Sequence, residues 1–428
     1  MSQTQHKIAV VGTGYVGLTS GACLAHLGHL VTCVDVDETK IKSISSGVMP
    51  IYEEGLAELV AGGQSSGNLG FTTSLEEAVR DAEFVFLCLP TPPGADGMAD
   101  ISAIRLVVMQ LRGLLRPGTI IVNKSTVPVN STYMVQELIN EPSVDVVSNP
   151  EFLREGSAVH DFLHPDRIVV GCTNPIAGER VGALYFGTRS PVLVTDPVSA
   201  ESIKYMANAF LAMKISFVNQ AAEYCDSVGA DVIEVMKGLS FDPRIGQTFL
   251  NPGPGWGGSC FPKDTKALVV SATESGSPMT LIEEAINANL MHIDHITRLI
   301  TRAAESSKAS EPRICLLGLT FKANTDDTRE SPALAIHQRL VEHFTNVVVY
   351  DPLAKVPESH IFNRVDSLVD AIRDADVVAI LTEWSEFAEL QPDLVASHMR
   401  GDTIIDGRYL LNKQDFAAAG LSVISIGR

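Results

Sequence analysis

Residues 7–17, KIAVVGTGYVG, decide the fold of the N-terminal part of the chain. An apolar, β-branched run leads directly into Gly12-Thr13-Gly14-Tyr15-Val16-Gly17, and the pattern that follows is helical. A G-x-G-x-x-G turn between a strand and a helix is typical of dinucleotide binding, because its glycines allow a tight turn and close approach to a pyrophosphate. Asp35 ends the next predicted strand, where a carboxylate accepts hydrogen bonds from the adenosine ribose and repels a 2′-phosphate. The pattern predicts NAD as the cofactor, with NADP or a chance glycine turn as alternatives.

Outward from this turn, strand-like runs alternate with helical patterns in both terminal parts of the chain. Such alternation predicts parallel sheets with helices on both faces. Residues 199–230 are helical in pattern, and 306–312 read as a polar linker. We therefore predict an α/β fold with two Rossmann-like doubly wound domains, joined by a long central helix and a helical middle domain, with boundaries 1–198, 199–307 and 308–428. The predicted strands are 7–11, 30–35, 84–89, 119–122, 144–147, 168–170, 313–317, 347–350, 377–381, 403–405 and 423–426.

Composition excludes several classes of protein. The 428 residues carry a formal net charge of −19, which opposes binding to nucleic acid or to an anionic membrane. No run approaches the roughly 18 apolar residues of a membrane span, and the first residues lack the pattern of a secretory signal, so we expect a cytoplasmic protein. Seven cysteines without a CxxC pair fit neither a disulfide framework nor a zinc site, and we expect no metal.

The glycine-rich loop at 251–264, NPGPGWGGSCFPKD, contains the strongest catalytic candidate. Pro262 is acceptable in the first turn of a helix, so the pattern predicts Cys260 at a helix N-terminus. The helix dipole lowers the pKa of a thiol at that position and makes it a better nucleophile. Asp264, four residues later, is expected on the same helical face as Cys260, as a base or an orienting group. The alternative is an ordinary structural cysteine.

Other polar residues follow strand ends or share a helix face. Lys204 and Asn208 are four residues apart on the predicted central helix, which suits stabilisation of an oxyanion, although a solvated face is equally consistent. Glu151 and Glu155, in 149–156 (NPEFLREG), are each a candidate general base or salt-bridge partner. Ligands bind at the carboxyl ends of strands in open α/β sheets. Further segments at predicted strand ends are Pro90-Thr91-Pro92, Ser125-Thr126-Val127-Pro128, Gly318-Leu319-Thr320-Phe321-Lys322 and Asp406-Gly407-Arg408.

These segments together resemble the UDP-glucose/GDP-mannose dehydrogenase family over residues 6–428. The matching segments, in family order, are GTGYVG, STVPV, NPEFLREGSAVHDFLHPDRIVVG, ESIKYMANAF, GGSCFPKD and FKANTDDTRESPA. The resemblance implies NAD, a UDP-sugar held largely by the C-terminal domain, and a homodimer or higher homo-oligomer with the substrate site near its interface. Within the family, the sequences of these segments are most similar to the UDP-glucose branch.

Residue roles are carried over from the resemblance by motif. Cys260 is implied as the nucleophile that forms a thiohemiacetal and then a thioester, with Lys204 and Asn208 stabilising the oxyanion and Asp264 assisting proton transfer. Glu151 and Thr126 are implied to act on the hydrolytic water, and Arg244 to reach a substrate across the dimer interface. The implied cofactor contacts are Gly12, Gly14, Tyr15, Val16, Gly17, Asp35, Lys40, Thr91, Pro92, Ser125, Thr126, Glu155, Lys263 and Arg329. The implied substrate contacts are Glu151, Phe152, Leu153, Arg154, Glu155, Lys204, Asn208, Arg244, Phe249, Leu250, Gly257, Phe321, Lys322 and Arg408.

The predicted reaction is oxidation of the C6 alcohol of UDP-glucose to a carboxylate, with reduction of two NAD. A second hydride leaves from a tetrahedral carbon, and thiolate addition to the aldehyde supplies that carbon. The same chemistry on GDP-mannose or a UDP-N-acetylhexosamine is the main alternative. A one-step hydroxy-acid dehydrogenase, or a nucleotide-binding regulator without catalytic activity, would not need Cys260.

Overall fold

The computed structural model of the protein describes residues 4–356 and 362–428. The chain divides into two compact units, Met1–Ala207 and Asn208–Arg428. The division falls inside the long central helix, so each unit contains one part of that helix. The units are described separately, and the three domain boundaries given above remain predictions.

An eight-stranded sheet forms the centre of the first unit. Its strands are β1 Lys7–Val11, β2 Leu30–Val34, β3 Leu69–Thr72, β4 Phe84–Leu87, β5 Ile120–Asn123, β6 Asp145–Ser148, β7 Ile168–Cys172 and β8 Val192–Thr195. The helices are α1 Tyr15–His26, α2 Glu38–Ser45, α3 Leu56–Ser66, α4 Leu75–Val79, α5 Ser102–Leu111, α6 Ser131–Ile139, α7 Ala158–Leu163, α8 Pro175–Ala183 and the long α9 Pro197–Val228, with a short 3-10 helix at Phe186–Thr188. The six predicted strands are present, and β3 and β8 are two that the patterns did not predict.

The central strands of this sheet, such as β1, β4 and β5, are buried on both faces, as predicted for a doubly wound domain, whereas the edge strand β8 is largely exposed. Ile8 and Val10 of β1 contribute to one apolar core, while Ala9 and Val11 contribute to the core on the opposite face. Burial on both faces explains why these strands read as continuous apolar runs. The strand order is β3-β2-β1-β4-β5-β6-β7-β8, and neighbouring strands run parallel except β6 and β7. The fully parallel sheet expected here is therefore wrong for that one pair, which can be antiparallel because its connection does not cross over the sheet.

The second unit contains two further long helices and a six-stranded sheet. Its elements are α10 Val232–Ser240, α11 Phe261–Glu274, α12 Thr280–Glu305, β9 Ile314–Leu317, α13 Pro332–Val341, β10 Val347–Tyr350, β11 Asn363–Arg364, α14 Leu368–Ile372, β12 Val377–Ile380, α15 Ser385–Ala388, α16 Pro392–His398, β13 Thr403–Asp406, α17 Lys413–Ala418 and β14 Ser422–Ile424. The strand order is β11-β10-β9-β12-β13-β14, with all neighbours parallel. Ile314 and Leu316 face one core and Cys315 and Leu317 the other.

Strand order reverses between β1 and β4 in the first sheet and between β9 and β12 in the second. Ligands bind outside the carboxyl ends of the strands at such switch points. The predicted glycine turn follows β1, and Gly318 follows β9, so each sheet has a glycine at its switch point. Within residues 4–356 and 362–428, no helix is both long and apolar enough to cross a membrane.

Candidate active site

The turn after β1 has the geometry that dinucleotide binding requires. Gly12 has a φ of +96°, and a Cβ there would lie 2.5 Å from the carbonyl oxygen of Cys88. A Cβ on Gly17 would lie 1.9 Å from the carbonyl oxygen of Gly12, whereas a Cβ on Gly14 would meet open space in the described part of the chain. The outer glycines are thus required by packing. The middle glycine leaves room for a pyrophosphate at the N-terminus of α1.

Asp35 lies directly beyond β2 and holds this turn. Its Oδ2 accepts hydrogen bonds from the Thr13 N–H at 2.9 Å and from the Thr13 hydroxyl at 2.7 Å. Lys40 Nζ also lies 2.9 Å from Oδ2. Burial opposes ionisation, but the bonds from Thr13 and Lys40 outweigh it and lower the pKa of Asp35 to about 2. A permanent carboxylate at the end of β2 favours NAD over NADP.

Other predicted cofactor residues follow strands at the same edge of the first sheet. Thr91 and the exposed Pro92 follow β4, and Val16 and Thr126, which follow β1 and β5, are half-buried. Ser125, also after β5, donates its hydroxyl to the carbonyl oxygen of Leu89 at 2.7 Å, which joins two of these loops.

Tyr15 connects the dinucleotide turn to the segment that contains Glu155. Its hydroxyl donates to Glu53, lies 3.2 Å from the carbonyl oxygen of Arg154, and accepts the N–H of Gly156. Burial and the neighbouring Glu53 raise the pKa of Tyr15, so the phenol stays protonated. Sequence reasoning missed Glu53, which is buried and also accepts the N–H of Ala158. Only folding brings residues 53 and 156 together.

A buried ion pair joins Glu151 to Lys204. Lys204 Nζ lies 2.9 Å from Glu151 Oε1, and the two side chains are 4% and 6% exposed. Glu151 Oε2 accepts the N–H of Leu153 at 2.6 Å. Although burial opposes it, the charge and hydrogen bond of Lys204 hold the pKa of Glu151 below its ordinary value. Glu151 is therefore an anion at neutral pH, as a general base must be.

Two cations lie over the ring of Phe152, beside this pair. The guanidinium of Arg167 is 3.7 Å from the ring centroid and Lys204 Nζ is 5.5 Å from it. Arg154 forms a bidentate pair with Asp161, with Nη2 2.5 Å and Nε 3.0 Å from its carboxylate oxygens. Ion pairs of Glu151 and Arg154 and the cations over Phe152 thus hold the segment 151–155 in place. Arg167 and Asp161 lie within the matching segment NPEFLREGSAVHDFLHPDRIVVG, but from the sequence we assigned them no role.

Lys124 is a buried cation that sequence reasoning also missed, although it immediately precedes Ser125. Its Nζ lies 3.3 Å from Asn149 Oδ1 and 3.3 Å from the hydroxyl of Tyr185, which itself donates to Asn149 at 2.6 Å. Burial lowers the pKa of Lys124 to about 8, and the charge of Lys204 adds to the effect. Lys124 and Glu151 line one cavity of the first unit. The buried cluster of Lys124, Lys204 and Glu151 therefore has two cations for one anion.

In the second unit, Cys260 is the N-cap residue of α11, as predicted, and Pro262 lies in the first turn. Cys260 is half-buried, whereas the other six cysteines are buried, chiefly in the apolar cores. Its Sγ lies 3.6 Å from the hydroxyl of Ser259. The thiol is the accessible cysteine, and it lies at the positive end of a 14-residue helix.

Asp264 is fully buried one turn into α11 and has two partners. Lys263 Nζ lies 2.6 Å from its Oδ1, and Asn208 Nδ2 donates to its Oδ2 at 2.6 Å. Asn208 follows Lys204 by one turn of α9. The two side chains predicted to point together are thus engaged with different carboxylates, Lys204 with Glu151 and Asn208 with Asp264.

Candidate substrate residues of the second unit lie around its switch point. Arg408 donates to the carbonyl oxygens of Leu381 and Phe321 and pairs with Glu383 at 3.1 Å. Lys322 Nζ lies 5.6 Å from the ring centroid of Phe321. Phe321 also packs on Gly258, where a Cβ would lie 2.9 Å from its ring.

Five more candidates from the sequence lie in this unit. Leu250 is buried, and Phe249 has a φ of +60° and faces Phe261. Arg244 is highly exposed and pairs with Asp242, and Arg329 forms a bidentate pair with Asp327. A Cβ on Gly257 would lie 2.0 Å from the carbonyl oxygen of Glu330, so that position requires glycine.

The described residues contain no cluster of three or more His, Cys, Asp or Glu able to hold a metal ion. The fold and the turn after β1 define a dinucleotide-dependent oxidoreductase. Models of three domains match the chain: the NAD binding domain of the UDP-glucose/GDP-mannose dehydrogenase family at 6–188, its central domain at 198–290 and its UDP binding domain at 315–413. The chain therefore belongs to the UDP-glucose/GDP-mannose dehydrogenase family and is an NAD-dependent dehydrogenase. The predicted family, fold class and cofactor are confirmed.

Individual relatives agree with this assignment. The chain is 43% identical over 432 residues to UDP-glucose 6-dehydrogenase TuaD of Bacillus subtilis (strain 168), with 99% of this chain and 93% of the relative covered. The solved UDP-glucose dehydrogenase of Pyrobaculum islandicum has a TM-score of 0.90 and 33% identity, covering 97% of this chain and 96% of that one. The UDP-D-ManNAc dehydrogenase of Pyrococcus horikoshii has a TM-score of 0.87 and 28% identity, with 98% and 99% covered.

Proposed function

We propose that this enzyme oxidises the C6 alcohol of UDP-glucose to the carboxylate and reduces two NAD per sugar. The observation that carries the chemistry is Cys260, an accessible thiol at the N-terminus of α11 among six buried cysteines. A one-step alcohol dehydrogenase has no need for such a nucleophile. Resemblance to relatives named UDP-glucose 6-dehydrogenase supports UDP-glucose as the sugar nucleotide.

Each step of the proposed reaction has a residue suited to it. The C6 alcohol loses a proton and a hydride to give an aldehyde and the first NADH. Cys260 Sγ then adds to the aldehyde carbon, and the resulting thiohemiacetal loses a second hydride to a second NAD to become a thioester. Lys204 and Asn208 are N–H donors suited to the oxyanion of these intermediates. Water attacks the thioester carbon and displaces the thiolate of Cys260. Glu151 accepts a proton from that water, and Thr126 helps to position it. Asp264 assists proton transfer at Cys260.

The test is the yield of NADH per nucleotide sugar consumed. Purified enzyme with excess NAD and limiting UDP-glucose should yield two NADH for each sugar and a product with a new carboxylate. A yield of one would contradict the thioester route. UDP-N-acetylmannosamine is the second candidate, because the Pyrococcus horikoshii neighbour is named for that sugar. A much higher kcat/KM for it, or for GDP-mannose, than for UDP-glucose would reassign the substrate.

The enzyme is further proposed to be a homodimer, or a higher homo-oligomer, that works in the cytoplasm. Phe210, Phe217 and Tyr224 lie seven residues apart on α9 and are 56%, 57% and 67% exposed, an apolar stripe suited to a second copy. Sedimentation should show a dimer that Phe217→Asp weakens. Seven free thiols suit a reducing compartment, and fractionation of cells tests that location.

Arg244 is proposed to act on the substrate of the partner subunit, since its guanidinium is 87% exposed. Mixed dimers of Arg244→Ala and Cys260→Ala subunits test this directly. The Arg244→Ala subunit keeps its own thiol and receives an intact arginine from its partner, so the mixture should regain activity that neither parent has. If the mixed dimers are no more active than the average of the two parents, Arg244 does not act on the substrate of the partner subunit.

A further inference from the structure

The loop that precedes Cys260 is anchored to two helices by buried hydrogen bonds. We call residues 251–260 the cysteine loop. The N–H of Gly253 donates to Asn219 of α9 at 2.9 Å. Asn289 of α12 makes two bonds with the backbone of Trp256, accepting its N–H at 2.9 Å and donating to its carbonyl oxygen at 3.0 Å. The indole N–H of Trp256 donates to Ser216 of α9 at 2.8 Å.

The remaining anchor is a histidine with two acceptors. His292 of α12 is 2% exposed. Its Nδ1 lies 2.6 Å from Glu223 Oε1, and its Nε2 lies 2.9 Å from the carbonyl oxygen of Gly253. A carbonyl oxygen only accepts, so Nε2 must carry a hydrogen. A neutral ring would then turn the lone pair of Nδ1 toward a carboxylate oxygen at 2.6 Å, which is repulsive. The ring and Glu223 therefore share a second proton.

Basic groups surround the carboxylate of Glu223. Burial opposes ionisation of Glu223, but its hydrogen bond to His292 and the charges of His292, His295 and Arg298 lower the pKa of Glu223. His295 stacks on His292 with ring centroids 6.3 Å apart. Burial lowers the pKa of His295, Glu223 and Asp226 oppose the shift, and His292 and Arg298 add to it.

We infer that His292, held by its hydrogen bond to Glu223, is a positioning residue for Cys260: it fixes the cysteine loop through the carbonyl oxygen of Gly253. The loop transmits such a restraint because it is closely packed. A Cβ on Gly255 would lie 2.9 Å from Asn289 Oδ1, and the N–H of Gly258 donates to the carbonyl oxygen of Arg329 at 3.0 Å. The effect on turnover rests on the proposed covalent role of Cys260, whereas the effect on the position of the thiol does not.

The first measurement is alkylation of Cys260 by iodoacetamide, followed by mass spectrometry, which needs neither substrate nor NAD. His292→Leu removes both hydrogen bonds and should slow alkylation by about tenfold, because a displaced thiol loses the helix N-terminus that activates it. With UDP-glucose, kcat should fall roughly 10- to 100-fold while KM for the sugar and for NAD changes little, as expected for small misplacement of a reacting group. If His292→Leu does not fold, Glu223→Leu gives the same test at a more exposed position.

Two variants separate positioning from a general effect on packing. Glu223→Gln replaces the carboxylate with an amide that donates to Nδ1, so a neutral His292 keeps both bonds. This variant should alkylate and turn over at nearly the wild-type rate, because both hydrogen bonds of His292 persist. His295→Leu is the matched control on the same helix: His295 Nδ1 lies 3.9 Å from Glu223 Oε2, beyond hydrogen-bond distance, and its Nε2 has no hydrogen-bond partner among the described residues. Its alkylation rate and kcat should stay within about twofold of wild type.

The results distinguish the two proposals. Folded His292→Leu with wild-type alkylation and kcat would overturn the positioning role, and so would an equal loss in His295→Leu. Slow alkylation of His292→Leu, together with a yield other than two NADH per UDP-glucose from the wild type, would refute the proposed function and leave the positioning role intact.

Discussion

At the scale of single residues, buried charges distinguish this site from an ordinary nucleotide fold. Glu151, Lys204 and Lys124 lie in the interior of the first unit, where unpaired charge is costly. Glu151 and Lys204 form an ion pair at 2.9 Å, and among the described residues Lys124 has no salt-bridge partner. Excess positive charge in a buried cluster suits a reaction that passes through anionic intermediates.

Glu151→Gln should stop the reaction at the thioester. Both hydride transfers remain possible, so a burst of about two NADH per site should precede a slow steady rate. Intact mass should show a UDP-glucuronyl adduct on Cys260. An amide still accepts from Lys204 but no longer balances its charge, so the melting temperature should also fall. Cys260→Ala is the control and should give neither burst nor adduct. Wild-type turnover of Glu151→Gln would reassign the hydrolytic step to Glu155, Asp264 or Thr126.

Lys124 should make stability depend on pH in a predictable direction. Its pKa is lowered from 10.5 to about 8 by burial, so between these values the unfolded chain binds more protons than the folded one. Stability from this group therefore rises with pH across that window. The melting temperature of the wild type, measured relative to that of Lys124→Met, should therefore rise by several degrees from pH 7 to pH 10. Lys42→Met, at an exposed site, should follow the pH dependence of the wild type. The same pH dependence in Lys124→Met would contradict the lowered pKa of Lys124.

At the scale of elements, the two sheets share one hydrogen-bonding arrangement at their switch points. Asp35, after β2, accepts hydrogen bonds from Thr13 in the turn after β1, and Asp351, after β10, accepts them from Leu319 and Thr320 in the turn after β9. Asp351 is 1% exposed and also accepts the indole N–H of Trp384. The second carboxylate is therefore fully occupied by the protein, whereas the side chain of Asp35 keeps 12% exposure toward a ligand.

Asp35→Ala should narrow the preference for NAD over NADP. The substitution removes the repulsion of a 2′-phosphate and leaves Lys40 beside the ribose position. The measurement is kcat/KM for both cofactors, with a shift in their ratio of at least about tenfold expected from loss of a charge-assisted contact. Glu38→Ala, an exposed acid in α2, is the control and should leave the ratio unchanged. Equal use of both cofactors by the wild type would contradict the role of Asp35.

At the scale of the whole molecule, a formal net charge of −19 must be reconciled with anionic ligands. Cations concentrated at a switch point do this locally, because direct charge-assisted contacts outweigh long-range repulsion between the protein and an anionic ligand. In the second unit these cations are Arg408, between the carbonyl oxygens of Leu381 and Phe321, and Lys322 beside the ring of Phe321. The matching UDP binding domain model covers both the β9 turn and Arg408.

Lys322→Ala and Arg408→Ala should mainly raise KM for the nucleotide sugar. Contacts to a diphosphate persist through the whole reaction, so their loss weakens ground state and transition state alike and leaves kcat nearly unchanged. An increase of roughly tenfold or more is expected for each charge-assisted contact. Lys355→Ala, a surface charge of the same unit, is the control. Normal KM in both test variants would exclude this switch point as the nucleotide site.

The sequence alone determined the features that depend on local pattern. The strand, glycine turn and helix of 7–26, the uninterrupted helix after residue 197, and Cys260 at the start of α11 follow from periodicity, glycine and proline positions within a few residues of one another. The order of the motifs also determined the family. The same local logic could not detect β3, β8 and β11, which have two to four residues each, or the antiparallel pairing of β6 with β7.

Only the tertiary structure decided which distant groups meet. Lys204 is 53 residues from Glu151, Asn208 is 56 from Asp264, and His292 is 39 from Gly253. A lysine such as Lys124 looks the same in a sequence whether it is solvated or buried, and burial is set by elements that pack on it from elsewhere in the chain. Hydrogen-bond partners and shifted pKa values follow from that packing, because desolvation and charge act through space and not along the sequence.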